Sequence, residues 1–142
     1  SEADPPAGLL DALGVKARFV GRSKFDYLVE LESEDAVREA KPNFSALRKL
    51  EARGMMITSV ASTAGVDFVS RFFAPGSGID EDPVTGSAHC CMTPFWAARL
   101  KKPTMVARQL SARGGELRVT LAGDRVKLAG RAVTTVRGEL LV

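Results

Sequence analysis

Histidine, tryptophan and tyrosine occur once each in this 142-residue chain, and cysteine only twice. One histidine with two adjacent cysteines, Cys90 and Cys91, makes a poor metal site, because consecutive helical side chains diverge by roughly 100°. The same adjacency excludes an undistorted disulfide between them. No covalent staple is expected, and a reducing, cytoplasmic compartment is the default. No apolar run approaches the roughly 18 residues of a membrane span. The acidic, Pro-rich start Ser1-Glu2-Ala3-Asp4-Pro5-Pro6 is no secretory signal. An initiator Met is also missing, so the chain is expected to be trimmed, cleaved from a tag or cut from something longer. Neither a G-x-G-x-x-G after a strand nor a P-loop is present, and no nucleotide, flavin or metal cofactor is expected.

What is present is ordinary globular material. Hydrophobic residues make up 45% and charged residues 26%, enough for one compact domain. Residues 1–8 read as a linker and residues 9–142 as a single domain. Charge is uneven: residues 1–100 carry 11 Lys/Arg against 14 Asp/Glu, residues 101–142 carry 9 against 3. The basic end lacks Phe, Tyr and Trp for base stacking, and Arg118, Arg125, Lys127 and Arg131 are spread singly through strand-like sequence. That is the pattern of a solvated sheet face, and nucleic-acid binding is not expected.

Short elements can be read in order. Asp11 to Gly14 marks a helical turn closed by glycine. Lys16–Val20 and Phe25–Glu32 read as strands, the second with Phe25, Tyr27, Val29 and Leu31 on one face. Ser33 caps a helix through Ala40. Asn43 or Ser45 caps another through Arg53, stopped by Gly54. Met55–Ser59 and Val66–Phe73 are strands, and Met105–Ser111, Glu116–Leu121, Val126–Ala129 and Ala132–Val136 are four more. Gly114-Gly115, Gly123-Asp124 and Gly130 punctuate these last four as turns.

A long helix from about Thr85 to Leu100 is the informative element. From Ala88 to Leu100, nine of thirteen residues are apolar, and they are not confined to one stripe. A helix apolar nearly all round is expected to be buried nearly all round. The economical solution is an α+β fold in which a strongly curved sheet wraps a central helix, with Cys90 and Cys91 in the core and a bend at Pro94.

Ahead of that helix stand Asp80, Glu81 and Asp82, followed by Pro83-Val84-Thr85-Gly86-Ser87-Ala88-His89. The free N–H groups of a first helical turn suit a carboxylate. Pro83 restricts the backbone of Asp82 to an extended form. A fixed carboxylate beside an anion site is what proton transfer on a small carboxylic acid requires. A plainer reading stands beside this one: acids compensating the helix dipole, Thr85 and Ser87 as caps, and His89 as a structural histidine bonded to a carbonyl. A serine hydrolase is disfavoured, because Thr85-Gly86-Ser87-Ala88-His89 is not a G-x-S-x-G elbow.

The stretch Phe73-Ala74-Pro75 followed by Gly78-Ile79-Asp80-Glu81-Asp82-Pro83-Val84-Thr85-Gly86-Ser87-Ala88-His89 resembles the signature of the PhzF-like family of phenazine-biosynthesis-type isomerases. Gly130-Arg131-Ala132-Val133 through Val136-Arg137-Gly138-Glu139-Leu140 resembles that family's C-terminal end. The resemblance covers the C-terminal half of such a protein. It implies a diaminopimelate epimerase-like fold: a mixed or antiparallel, barrel-like sheet around a central helix, with the active site in a cleft between two similar domains. It also implies a cofactor-independent isomerase or epimerase. Asp82 would assist proton movement, and Gly86, Ser87 and the Ala88 amide would hold the substrate carboxylate, with His89 orienting substrate or loop. The main acid/base glutamate would belong to the missing N-terminal domain, so the isolated half is expected to be inactive. That half could sit elsewhere in a cut protein, in a separate chain, or be replaced by a second copy in a homodimer. A non-catalytic module that binds anions or a partner is the alternative.

Overall fold

A computed structural model describes residues 1–140 of the chain; Leu141 and Val142, the last two residues of the expected domain, lie outside the described residues. A seven-stranded mixed sheet runs in sequence order: β1 (Phe19–Arg22), β2 (Asp26–Glu30), β3 (Gly54–Val60), β4 (Phe68–Phe73), β5 (Thr104–Gln109), β6 (Gly115–Ala122) and β7 (Arg125–Ala129). Neighbours pair antiparallel except β2–β3 and β4–β5, which are parallel. Parallel neighbours need a crossover. The first crossover holds α2 (Glu34–Glu39) and α3 (Phe44–Leu47), and the second holds α4 (Gly86–Leu100).

The two crossovers lie on opposite faces. Met55 and Ile57 of β3 pack into one core with Leu13 of α1 (Leu9–Leu13), Val37 of α2 and Leu47 of α3. Met56 faces the other way, into a core with Phe68, Phe72, Met92, Trp96, Met105 and Val119. The reason is directional. Crossovers between parallel strands are right-handed, and β4 runs opposite to β3. With strand direction reversed and lateral progress unchanged, the same hand places the helix on the other side.

Local chemistry explains most boundaries. Ser33 Oγ accepts from the Ala36 amide at 3.1 Å, and Asn43 Oδ1 from the Ala46 amide at 3.0 Å, so each caps its helix. Helix α3 ends at Leu47, short of the expected Arg53. Gly123 has φ +63° in the two-residue turn between β6 and β7, where an L side chain would be strained. Glu2 bridges Gly21, so part of the expected linker lies along the edge of β1.

Helix α4 corrects the sequence reading. Ala88, His89, Met92, Thr93, Trp96 and Ala97 are buried, but Ser87, Cys90, Pro94 and Ala98 form an exposed stripe on the opposite side. Cys90 is exposed and Cys91 only half-buried, so neither is a fully buried core residue. The physical reason is coverage: the sheet meets one side of the helix and leaves its small residues facing water. The sheet is also open, since β1 and β7 do not pair. Ala132–Val136 is not a strand. Residues 130–140 run without regular structure, with Val133 87% exposed, because no described strand lies beside them to complete a ladder.

Buried polar groups tie the layers together. Trp96 Nε1 donates to Thr58 Oγ1 at 2.9 Å, and Thr58 passes its own proton to the Val69 carbonyl at 2.7 Å. On the other face, Glu34 accepts from the amides and hydroxyls of Ser62 and Thr63 and from Arg38. Burial pushes the Glu34 carboxyl up, but the hydrogen bonds from Thr63 and Ser62 prevail and hold it at about 2.

Two outcomes follow from these contacts. A carboxyl depressed from 4.5 to about 2 contributes stability present above pH 4.5 and lost as pH falls toward about 2. Glu34→Gln is expected to flatten that part of the acid-unfolding profile followed by circular dichroism. At Gly54, an added Cβ would stand 2.2 Å from the Phe72 ring. Gly54→Ala is expected to cost about 1–3 kcal/mol in urea unfolding, with part regained in the Gly54→Ala, Phe72→Leu double variant.

Candidate functional site

The three acids ahead of α4 share a neighbourhood in sequence but have separate roles in space. Asp80 is exposed and pairs with Arg48 at 3.3 Å. Glu81 is gripped by both arms of Arg71, at 2.7 and 3.0 Å, and Arg71 also donates to the Ala40 carbonyl at 2.8 Å. That clasp joins the loop to the end of α2. Asp82 alone has no cation within ion-pair distance among the described residues. Its Oδ2 accepts from Thr85 Oγ1 at 2.5 Å, and its amide donates to the Phe72 carbonyl at 3.0 Å.

A residue far along the chain holds this turn. Gln109, fully buried at the end of β5, accepts from the Thr85 amide through Oε1 at 2.8 Å. Its Nε2 donates to the Asp82 carbonyl at 2.6 Å and to Thr85 Oγ1 at 3.2 Å. Ser111 Oγ adds a bond to the Pro83 carbonyl at 2.7 Å. The hydroxyl of Thr85 is thereby spent on Asp82, so this N-cap residue makes no side-chain cap of its helix. No described group accepts from the amides of Gly86, Ser87 and Ala88, so these amides are unpaired, and the Asp82 carboxylate on the N-cap Thr85 is the negative charge beside the positive end of α4.

The expected site residues divide accordingly. Gly86 and Ser87 are exposed at the helix entrance, and a Cβ added at Gly86 would meet only Leu128, at 3.6 Å. Ala88 departs from the expectation that its amide meets substrate: the whole residue, backbone included, is 0% exposed. Ser87 Oγ accepts from Arg53 at 3.2 Å. His89 departs from the expectation that it meets substrate: it is fully buried, and its Nδ1 lies 2.7 Å from the Thr85 carbonyl. A carbonyl only accepts, so Nδ1 carries the proton.

Sequence reasoning missed Gln109, Arg53 and Asp26. Asp26 is 1% exposed on β2 and bonds both to Arg53 Nε, at 2.8 Å, and to Nη2. Only the odd placement of an acid between apolar residues of a strand could have marked it. Two clefts of about 850 and 420 Å³ lie around the β5–β6 turn near Arg113–Glu116, the first lined also by Val84 of the turn before α4. No group of three or more His, Cys, Asp or Glu side chains among the described residues is placed to hold a metal ion, and no helix is long and apolar enough to cross a membrane.

Burial pushes the His89 imidazole below its usual range, partly opposed by its bond to Thr85. The unfolded chain takes up that proton near pH 6.5 while the folded chain resists it. The contribution to stability is complete above about pH 6.5 and declines as pH falls below it. His89→Gln is expected to remove this slope from urea-unfolding free energies measured on either side of that value.

The phenazine biosynthesis-like protein family matches residues 8–138 of the chain. An uncharacterized isomerase of Halalkalibacterium halodurans is 49% identical over 137 residues, covering 96% of this chain and 52% of that protein. Another, from Pseudomonas aeruginosa, is 51% identical over 140 residues, covering 99% and 53%. A crystal structure of a putative phenazine biosynthesis protein from Clostridium difficile aligns with a TM-score of 0.86 at 38% identity, over 99% of this chain and 54% of that one. A PhzF-family structure from Enterococcus faecalis gives 0.83 at 36% identity, over 94% and 54%. The chain thus spans about half the length of these relatives. With the matched segment running through the sheet, the Asp82 turn and the whole of α4, the chain belongs to the phenazine biosynthesis-like protein family.

Proposed function

We propose that residues 9–142 form one domain of an isomerase or epimerase that moves a proton on a small carboxylic acid without a cofactor. Asp82 carries the proton on this wall of the cleft. The amides of Gly86 and Ser87, with the Ser87 hydroxyl, hold the substrate carboxylate. The observation that supports this reading most is the pairing of a cation-free carboxylate with an uncapped helix end, both fixed by Thr85 and Gln109. The isomerase names of the relatives point the same way.

Proton transfer at carbon needs groups on both sides of the reacting atom. The second wall is assigned to the remainder of a protein of the relatives' length, packed over the exposed Ser87, Cys90, Pro94 and Ala98 stripe. Such a completed structure is the diaminopimelate epimerase-like arrangement, with the central helix covered on its second side. The chain alone is then expected to be inactive.

Within that arrangement Thr85 aims the Asp82 carboxylate and keeps one oxygen occupied. His89, neutral and buried, orients the Thr85 carbonyl and stays clear of substrate. In a protein of full family length, Asp82→Asn is expected to lower turnover by about 10²–10⁴-fold. Circular dichroism and thermal unfolding should stay unchanged. Turnover retained in this variant would remove Asp82 from its role and favour a non-catalytic anion-binding module.

A further inference from the structure

A buried carboxylate holds a surface guanidinium against the helix entrance. Asp26 is almost fully enclosed, while the Arg53 side chain is 42% exposed. The ion pair is therefore one-sided: the anion is fixed by the sheet and fixes the cation in turn. Arg53 engages Asp26 through Nε and Nη2, and Nη2 also reaches Ser87 Oγ at 3.2 Å. Beneath it lies the ring of Phe25, 51% exposed and 5.1 Å from Arg53 Cζ; Lys24 Nζ approaches the same ring at 5.1 Å.

The direction of the Arg53–Ser87 bond matters. A guanidinium has only donors, so Ser87 accepts from it and keeps its own proton. That proton cannot point at Arg53. It is free to be donated on the side of the unpaired Gly86 and Ser87 amides, where both residues are exposed.

We propose that Arg53, braced by Asp26, is a positioning residue that turns the Ser87 hydroxyl proton toward a bound carboxylate. This rests on the reading of the α4 entrance as a carboxylate site. It adds a requirement for two-point geometry that a mere positive charge would not meet. A lysine ammonium keeps the charge but is a compact point donor, without the planar fork that engages Asp26 and Ser87 together.

The test is a double-mutant cycle on the 142-residue chain, with benzoate as probe. Binding is read from the backbone amide shifts of Gly86, Ser87 and Ala88 in ¹⁵N-labelled protein at constant ionic strength. Ser87→Ala and Arg53→Gln are each expected to weaken benzoate about ten- to 150-fold, the loss of one hydrogen bond to a charged group. The double variant should be no weaker than either single variant, because the two residues act as a unit. Arg53→Lys should lose as much as Arg53→Gln while keeping its fold. Arg53→Gln combined with Asp26→Asn guards against misfolding around an unpaired buried carboxylate and should bind as weakly as Arg53→Gln. Additive losses, or full binding by Arg53→Lys, would overturn the role of Arg53 alone. No benzoate binding by the unmodified chain would overturn it together with the carboxylate site.

Discussion

The carboxamide of Gln109 is the constraint on which the α4 entrance depends. It is fully buried and uses both its oxygen and its nitrogen on the turn between Asp82 and Thr85. Buried polar groups are costly unless paired, so the turn and the end of β5 hold each other in one arrangement. From that follow the bond from Thr85 to Asp82, the freedom of the first helical amides, and the direction in which α4 leaves the loop. Helix position and site chemistry are set by the same few bonds.

The sheet makes this possible by being covered on both faces with different material. The face carrying α1, α2 and α3 is largely apolar, with Glu34 and the Arg71–Glu81 pair as its anchored polar groups. The face carrying α4 mixes apolar bulk with hydroxyl, amide and ion-pair contacts: Thr58 with Trp96, Gln109 with Thr85, Asp26 with Arg53, Glu30 with Arg99. Both faces thus combine apolar burial with polar placement. Arg99 shows both at once, lying 3.6 Å over the Phe95 ring while pairing with Glu30.

Much of this was legible in the sequence, for reasons that can be named. The α4 span, the caps at Ser33 and Asn43, the Gly123 turn and six of the strands follow from local signals: periodicity, short polar caps and glycine. Asp82, Gly86 and Ser87 were legible because they sit together at a helix entrance. Gln109 and Arg53 were not, since each meets the site across a gap of more than twenty residues that only the folded sheet closes. Asp26 looked solvent-facing because a period-two pattern assumes one wet face, and this strand has none. Cys90 was misplaced by the opposite error, while Cys91 packs half-buried against the core. Apolar composition reports what a helix can bury, while the neighbours of α4 decide which side is buried. Ala132–Val136 has the β-branched residues of a strand but no described partner to pair with.

The reversal of strand direction between the two crossovers has an evolutionary corollary. Which side of the sheet receives α4 is governed by parity: one antiparallel step separates the parallel pair β2–β3 from the parallel pair β4–β5. Adding or removing a single strand there would send α4 to the side already occupied by α2 and α3. Strands between the crossovers can therefore be gained or lost only in twos.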